Sequence, residues 1–278
     1  MKHLLIFLSL LIFQSCVSAE LKIVKDIPYK TNAEEAYEKE RCKLDVYLTA
    51  KSEKVPVFVW FHGGGIQANS KDKEDEVVVI AKKFAAHGVA FVAVNYRLHP
   101  KVKYPAYIED VAASVKWAID NADKYNFDSG KIFIGGHSAG GYLTMMTSFK
   151  NEFTDKVGLD VTKIAGSIPV SGQTVTHSTV RKEMGISKNI IIVDEKAPLY
   201  HFKKMKLPTF LIAGDKDLLM RADESQIIYS GIKSVSKQTR FKIYENRNHV
   251  SVVTSMKNDN DPVFIDIVNF INEVSLKK

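Results

Sequence analysis

Ile132-Phe133-Ile134-Gly135-Gly136-His137-Ser138-Ala139-Gly140-Gly141 joins an apolar run to a Gly-x-Ser-x-Gly turn. Tyr142-Leu143-Thr144-Met145-Met146 follows and suits continuation as a helix. A strand that turns this sharply into a helix holds the central serine in a strained conformation with its hydroxyl presented. Side chains at positions 136 and 140 would collide inside the turn, so glycine belongs at both. The first N–H groups of the new helix also point toward developing negative charge. As a bare pattern Gly-x-Ser-x-Gly is moderately specific, but between a strand and a helix it is strong. Ser138 is therefore read as a nucleophile rather than as part of a Gly/Ser surface loop.

Upstream, Val55-Pro56-Val57-Phe58-Val59-Trp60-Phe61 is another nearly continuous apolar run. Ala90 to Val94 and Thr209 to Ala213 are similar. Runs without alternation suit strands buried on both faces of a parallel sheet. Helical spacing lies between them. Val77, Ile80, Ala81 and Phe84 repeat at intervals of three and four from Glu76 to Ala86, with Gly88 as the stop. Ile108, Val111, Ala112, Val115 and Ile119 form a second such stripe, and Phe264, Ile267, Val268 and Ile271 a third. Strands alternating with helices predict an α/β fold with a mostly parallel central sheet and helices on both faces. Residues 173–205 break the alternation and are expected to form an excursion over the sheet's C-terminal edge. No repeat or second-domain boundary is evident in residues 20–278.

The run Trp60-Phe61-His62-Gly63-Gly64-Gly65 also follows directly on a strand. Three glycines expose bare amides that can face an oxyanion with no side chain in the way. The amides of Gly64, Gly65 and Ala139 are the candidate oxyanion hole. Beyond the strand Thr209 to Ala213, Gly214-Asp215-Lys216-Asp217 offers two acids at one strand end. His249 follows the strand-like Arg240 to Tyr244 and is the one histidine after His201. Its plainest reading is a polar loop residue. A base after the last strand could also reach back to Ser138.

These motifs, with Val94-Asn95-Tyr96-Arg97-Leu98, Tyr104-Pro105-Ala106, Asp110 with Trp117, and Asp128, resemble the hormone-sensitive-lipase-like branch of the α/β-hydrolases. Bacterial carboxylesterases and acetyl- or feruloyl-esterase-like proteins belong to that group. The likeness runs from about Leu44 to His249. It implies an α/β-hydrolase fold and a triad in the order Ser138, Asp217, His249, because the family's acid stands three residues after the glycine. Asp215 is then a turn residue. His62 comes too early for the base and is expected to order the glycine loop. The implied chemistry is two-step acyl transfer without a metal or organic cofactor. The expected substrate is a carboxylic ester, short in its acyl part or linked to carbohydrate. A formamide-cleaving enzyme of the kynurenine-formamidase kind is the alternative, and a non-catalytic binding protein of the same fold a more distant one. His177, Arg181, Tyr200 and His201 are candidate substrate contacts, with the plainer role of tying the excursion down. Asp194-Glu195 reads as a solvated or salt-bridged turn rather than a glycosidase pair.

Composition agrees with a globular enzyme: 45% hydrophobic and 26% charged residues in a chain of 278. Lys2 and His3, the apolar run Leu4 to Phe13, and Gln14-Ser15-Cys16-Val17-Ser18-Ala19 form an export leader in pattern. Cleavage is expected before Glu20, leaving the protein periplasmic or extracellular. Phe13-Gln14-Ser15-Cys16 is a looser lipoprotein box that would instead lipidate Cys16 and anchor the chain. Either route leaves Cys42 alone, with no intramolecular disulfide and no cysteine-based metal site. The formal charge of +7 is scattered, and Lys203-Lys204 with Lys206 lacks interleaved aromatics, so nucleic acid is not an expected partner.

Overall fold

A computed structural model describes residues 21–277 apart from 50, 52 and 150, so the leader and Cys16 lie outside the described residues. The chain runs β1 (Lys22–Pro28), α1 (Ala36–Arg41), β2 (Lys43–Leu48), β3 (Val55–Phe61), α2 (Val79–Ala86), β4 (Ala90–Val94) and α3 (Ala106–Asp120). It continues through β5 (Phe127–His137), α4 (Ala139–Thr147), α5 (Glu152–Lys156), β6 (Ile164–Val170) and α6 (Ser178–Glu183). β7 (Thr209–Lys216), α7 (Arg221–Lys233), β8 (Thr239–Asn248), α8 (Ser251–Thr254) and α9 (Pro262–Ser275) complete it. The strands form one sheet in the order β1-β2-β4-β3-β5-β6-β7-β8. β2 pairs antiparallel with both neighbours, and every pairing from β4 to β8 is parallel. This is the mostly parallel α/β-hydrolase sheet that the alternating pattern predicts.

The unbroken apolar runs owe their character to burial on both faces. Along β3, Val57, Val59 and Phe61 join one core layer with Ile108 and Val111 of α3, Leu143 of α4 and Ile228 of α7. Phe58 and Trp60 point the other way, into a layer with Phe84 of α2 and Phe264 and Ile267 of α9. Phe58 meets Trp60, Phe84 and Phe91 edge-on, with ring centroids 5.3–5.7 Å apart. Such pairs add about 0.5–1.5 kcal/mol each beyond the area they bury.

Three details differ from the sequence-based picture. The helix expected from Glu76 opens as a π-turn, Glu74–Val78, in which the Val78 amide reaches back five residues to the Lys73 carbonyl. The short apolar run before Ser138 extends to the eleven-residue β5. β6, fully buried, carries Gly166, Ser167 and Pro169, which hide its strand character in the sequence. Residues 173–205 do connect β6 to β7, containing α6 and a 3₁₀ stretch at Pro198–Lys204. Because β3 and β5 to β8 run the same way, their following residues gather on one edge of the sheet. Ligands in open parallel sheets bind outside that edge.

Candidate active site

Ser138 stands between β5 and α4 with φ 55° and ψ −111°. A non-glycine residue there carries strain of about 1–3 kcal/mol and persists only where its surroundings enforce it. Here the Ser138 amide donates to the Val170 carbonyl at 2.8 Å, and the Tyr142 amide donates to the Ser138 carbonyl at 3.0 Å. The turn is tight enough that a Cβ on Gly140 would strike the Phe61 carbonyl, and one on Gly136 would lie 2.6 Å from the same oxygen.

His249 Nε2 lies 2.8 Å from Ser138 Oγ, and His249 Nδ1 lies 2.6 Å from Asp217 Oδ1. The three expected residues thus form one hydrogen-bonded chain, built from the ends of β5, β7 and β8. The Asp217 side chain is 2% exposed and that of His249 16%. Burial alone would raise the Asp217 pKa. Hydrogen bonds from His249 and Ser171 overcome it and hold the carboxyl below its ordinary value. Ser171 Oγ donates to Asp217 Oδ2 at 2.5 Å, and the Leu218 amide donates to Oδ1 at 2.7 Å. Ser171 follows β6 with φ 51°, a second strained serine on the same edge, and is absent from the sequence-based set. Its only signal is the Ser-Gly pair closing a strand that the sequence disguises.

Asp215 is exposed, and its Oδ1 accepts the Arg247 amide at 3.0 Å. It ties the end of β7 to the end of β8.

The glycine loop is held by its carbonyls. His62, buried and stacked on Tyr96 with centroids 4.4 Å apart, makes a 2.7 Å contact from Nδ1 to the Gly63 carbonyl. An Arg41 N–H approaches His62 Nε2 at 3.4 Å, so Nδ1 carries the proton and donates. Burial pushes the His62 pKa down to about 4, with the Arg41 charge adding to the effect. The Gly64 carbonyl accepts from the Gln67 and Ala68 amides, and the Gly65 carbonyl accepts from Thr179 Oγ1 at 2.5 Å. In a trans peptide the N–H points opposite to the C=O. Engaging the Gly63 and Gly64 carbonyls therefore turns the Gly64 and Gly65 amides the other way. Among the described residues, neither these amides nor that of Ala139 has a protein acceptor outside its own helix.

The resembling motif pieces support this loop. Tyr96 donates its hydroxyl to the His62 carbonyl at 2.7 Å. Arg97 grips buried Asp110 through Nε at 2.8 Å and a terminal nitrogen at 2.7 Å, and Lys30 adds a second cation. Glu38 and Cys42 place ligand-type atoms within 4.8 Å of Asp110 and of each other. With Lys30 and Arg97 occupying both carboxylates, the group is an ion-pair network. Burial pushes the Cys42 thiol up to about 12, which suits a structural role.

The candidate substrate contacts divide. Arg181 is buried and donates to the Thr176 and Lys188 carbonyls at 2.5 and 2.6 Å. His201 stacks on Phe149 and bonds the Glu195 carbonyl through Nε2 at 2.8 Å. Both tie the excursion down. His177 is buried, accepts the Thr179 amide on Nδ1, and is held neutral by burial beside Arg221 and Arg181, its pKa near 3. Tyr200 is 61% exposed. The Asp194 carboxylate accepts from Thr176 and the Lys196 amide, a turn role that matches its reading. A depression of about 480 Å³ opens beside the glycine loop, lined by Gln67, Ser178, Thr179, Lys182 and Ile186 among others.

Residues 44–232, well over half of the chain, match the model of the family described as BD-FAE. The chain belongs to the BD-FAE family. Kynurenine formamidase of Danio rerio is 28% identical to this BD-FAE chain over 247 residues, covering 84% of the chain and 77% of that protein. Carboxylesterase NlhH of Mycobacterium tuberculosis (strain ATCC 25618 / H37Rv) is 38% identical over 93 residues, 33% of the chain and 28% of that protein. Among solved structures, a truncated carbohydrate esterase from gut microbiota superposes with a TM-score of 0.73 at 18% identity, covering 92% of the BD-FAE chain and 96% of that one. Esterase B from Lactobacillus rhamnosis, inhibited by a tributyrin phosphonate, gives the same TM-score and identity over 92% and 87%. These likenesses place the BD-FAE chain in the α/β-hydrolase fold.

Proposed function

We propose that this protein is a serine hydrolase that cleaves carboxylic esters through an acyl-enzyme on Ser138. The observation that carries the reading is the hydrogen-bonded chain Ser138–His249–Asp217, at 2.8 and 2.6 Å. His249 removes the Ser138 proton as Oγ attacks the ester carbonyl. Asp217 holds the His249 tautomer and stabilises the imidazolium that forms. The amides of Gly64, Gly65 and Ala139 receive the oxyanion. Losing one such donor typically costs roughly 10²–10³ in rate. His249 then protonates the departing alcohol, and a water that it activates releases the acid.

For the ester itself we propose a short or aryl acyl group on a polar, carbohydrate-like alcohol. Leu218, Leu219 and Val250 stand exposed beside Asp217 and His249 and offer an apolar rim. The depression beside the glycine loop, where Thr179 and Lys182 offer polar groups among apolar ones, suits the alcohol. The structural neighbour named as a carbohydrate esterase agrees with that choice. The leader-like residues 2–19 support export, to be checked by sequencing the mature N-terminus.

Formamide hydrolysis is the second reading, favoured by the kynurenine formamidase relative that aligns over 84% of the chain. Acetylated xylan, a feruloylated sugar, p-nitrophenyl acetate and N-formylkynurenine assayed side by side separate the two. A Ser138→Ala variant hydrolysing p-nitrophenyl acetate at the wild-type rate would sink the mechanism. A folded wild type that a fluorophosphonate probe fails to label at Ser138 would favour a binding protein.

A further inference from the structure

His137 lies inside the Gly-x-Ser-x-Gly turn, one residue before Ser138, and the mechanism above gives it no part. It is 5% exposed. Its Nε2 is 2.7 Å from the His249 carbonyl oxygen, and its Nδ1 is 3.1 Å from Glu76 Oε1. Glu76 is 3% exposed, and its other oxygen accepts from Lys73 Nζ at 2.7 Å. Burial alone would raise the Glu76 pKa. The hydrogen bond and charge of His137, with those of Lys73, overcome burial and bring it down to about 2.

Each ring nitrogen thus faces an acceptor. A carbonyl oxygen can only accept, so Nε2 donates to His249. On the other side, Glu76, whose second oxygen is taken up by Lys73, offers Nδ1 a carboxylate oxygen. Glu76 and Lys73 approach from the π-turn, and the His249 ring, on the loop after β8, lies 4.8 Å away. Across the glycine loop stand neutral His62, Arg41 and Asp72.

We infer that Glu76 and His137 form a buried carboxylate–imidazolium pair that acts as a positioning device for His249. The nucleophile's own chain neighbour grips the backbone of the base, so the two reacting groups are referenced to one rigid point. The inference rests on the acyl-transfer reading above. A hydrogen bond with an ionised donor is about twice as strong as a neutral one. A base displaced by about 1 Å can lose on the order of 10² in rate. The π-turn gains a reason in the same stroke, since it is the segment that brings Glu76 to His137.

The test uses the full chain, ¹⁵N-labelled, with ring signals assigned through His137→Asn. Wild type is expected to show two ring N–H groups on His137 at neutral pH, and Glu76→Gln only one. With p-nitrophenyl acetate, Glu76→Gln is expected to lower kcat by about 10–100-fold while KM moves less than twofold. A singly protonated His137 in wild type, or a Glu76→Gln variant with wild-type kcat, overturns the inference. If Glu76→Gln does not fold, the wild-type spectrum decides. If wild type cleaves no ester, the esterase reading falls, while two N–H signals still uphold the ion pair.

Discussion

Asp215 and Asp217 stand two residues apart at one strand end, yet their partners divide them completely. Asp217 is buried and holds the His249 ring, while Asp215 faces solvent and holds the Arg247 backbone. Asp217→Asn is expected to cut kcat by ~10⁴-fold, because an amide cannot keep the imidazole in its working tautomer. Asp215→Asn should leave kcat within about twofold, since no reacting group touches it. Steady-state kinetics on the pair checks both, and equal losses would contradict the assignment. Ser171 acts one layer further out. Ser171→Ala removes a donor to an ionised carboxylate, a bond worth about 1.5–3 kcal/mol. Part of that should appear as a fall of about 3–10-fold in kcat with KM unchanged. A wild-type kcat in Ser171→Ala would show that the hydroxyl is dispensable to Asp217.

At the level of elements, the excursion between β6 and β7 is tied down by hydrogen bonds from buried side chains to main-chain carbonyls. Arg181 in α6 bridges the Thr176 and Lys188 carbonyls, and Thr179 in the same helix bonds the Gly65 carbonyl. Loops carry high intrinsic mobility unless their backbone groups are satisfied in this way. Arg181→Ala leaves two carbonyls without their donor, at about 1–3 kcal/mol each. Urea unfolding should show a loss of about 2–4 kcal/mol, and limited proteolysis should open residues 185–195. Unchanged stability and protease resistance would mean that the strut carries no load. Turn and glycine are equally interdependent at the β5–α4 junction. Gly140→Ala sets a methyl against the Phe61 carbonyl, so β3 and α4 must separate. Its expected signature is a large drop in Tm with Ser138 labelling lost. Normal labelling at normal Tm would refute the tight turn.

For the molecule as a whole, buried histidines set the acid limit. The His62 and His177 pKa values are pushed down to about 4 and about 3, chiefly by burial. Above about pH 6.5 both are neutral folded or unfolded and contribute no pH dependence. Below it the unfolded chain binds protons that the folded chain refuses, so stability falls as pH drops. The slope approaches about 1.4 kcal/mol per pH unit for each histidine between 6.5 and 4. Glu76 adds to the loss further down, from its ordinary range toward 2, as its ion pair is protonated. Denaturation free energies measured from pH 7.5 to 4.5 should decline steadily below 6.5, and a flat profile would contradict the burial of neutral imidazoles.

What could be read from residues alone was what local sterics and burial impose. Gly136 and Gly140 around Ser138 declare a tight turn because no side chain fits there. The apolar runs of β3, β4, β5 and β7 declare a parallel sheet because both their faces are covered. The resemblance then chose between Asp215 and Asp217, which their composition and spacing left equal. Other features depended on parallel pairing, which brings together residues far apart in sequence. Ser171 meets Asp217 across 46 residues, and His137 meets Glu76 across 61. Arg181 and His201 turned inward because the excursion's own carbonyls lacked donors, a need that exists only once the chain has folded over the sheet. The sequence by itself determined the turn, the sheet and the serine it presents. Tertiary structure alone decided which polar side chains face that serine, because hydrogen bonds to buried groups are chosen by proximity in space.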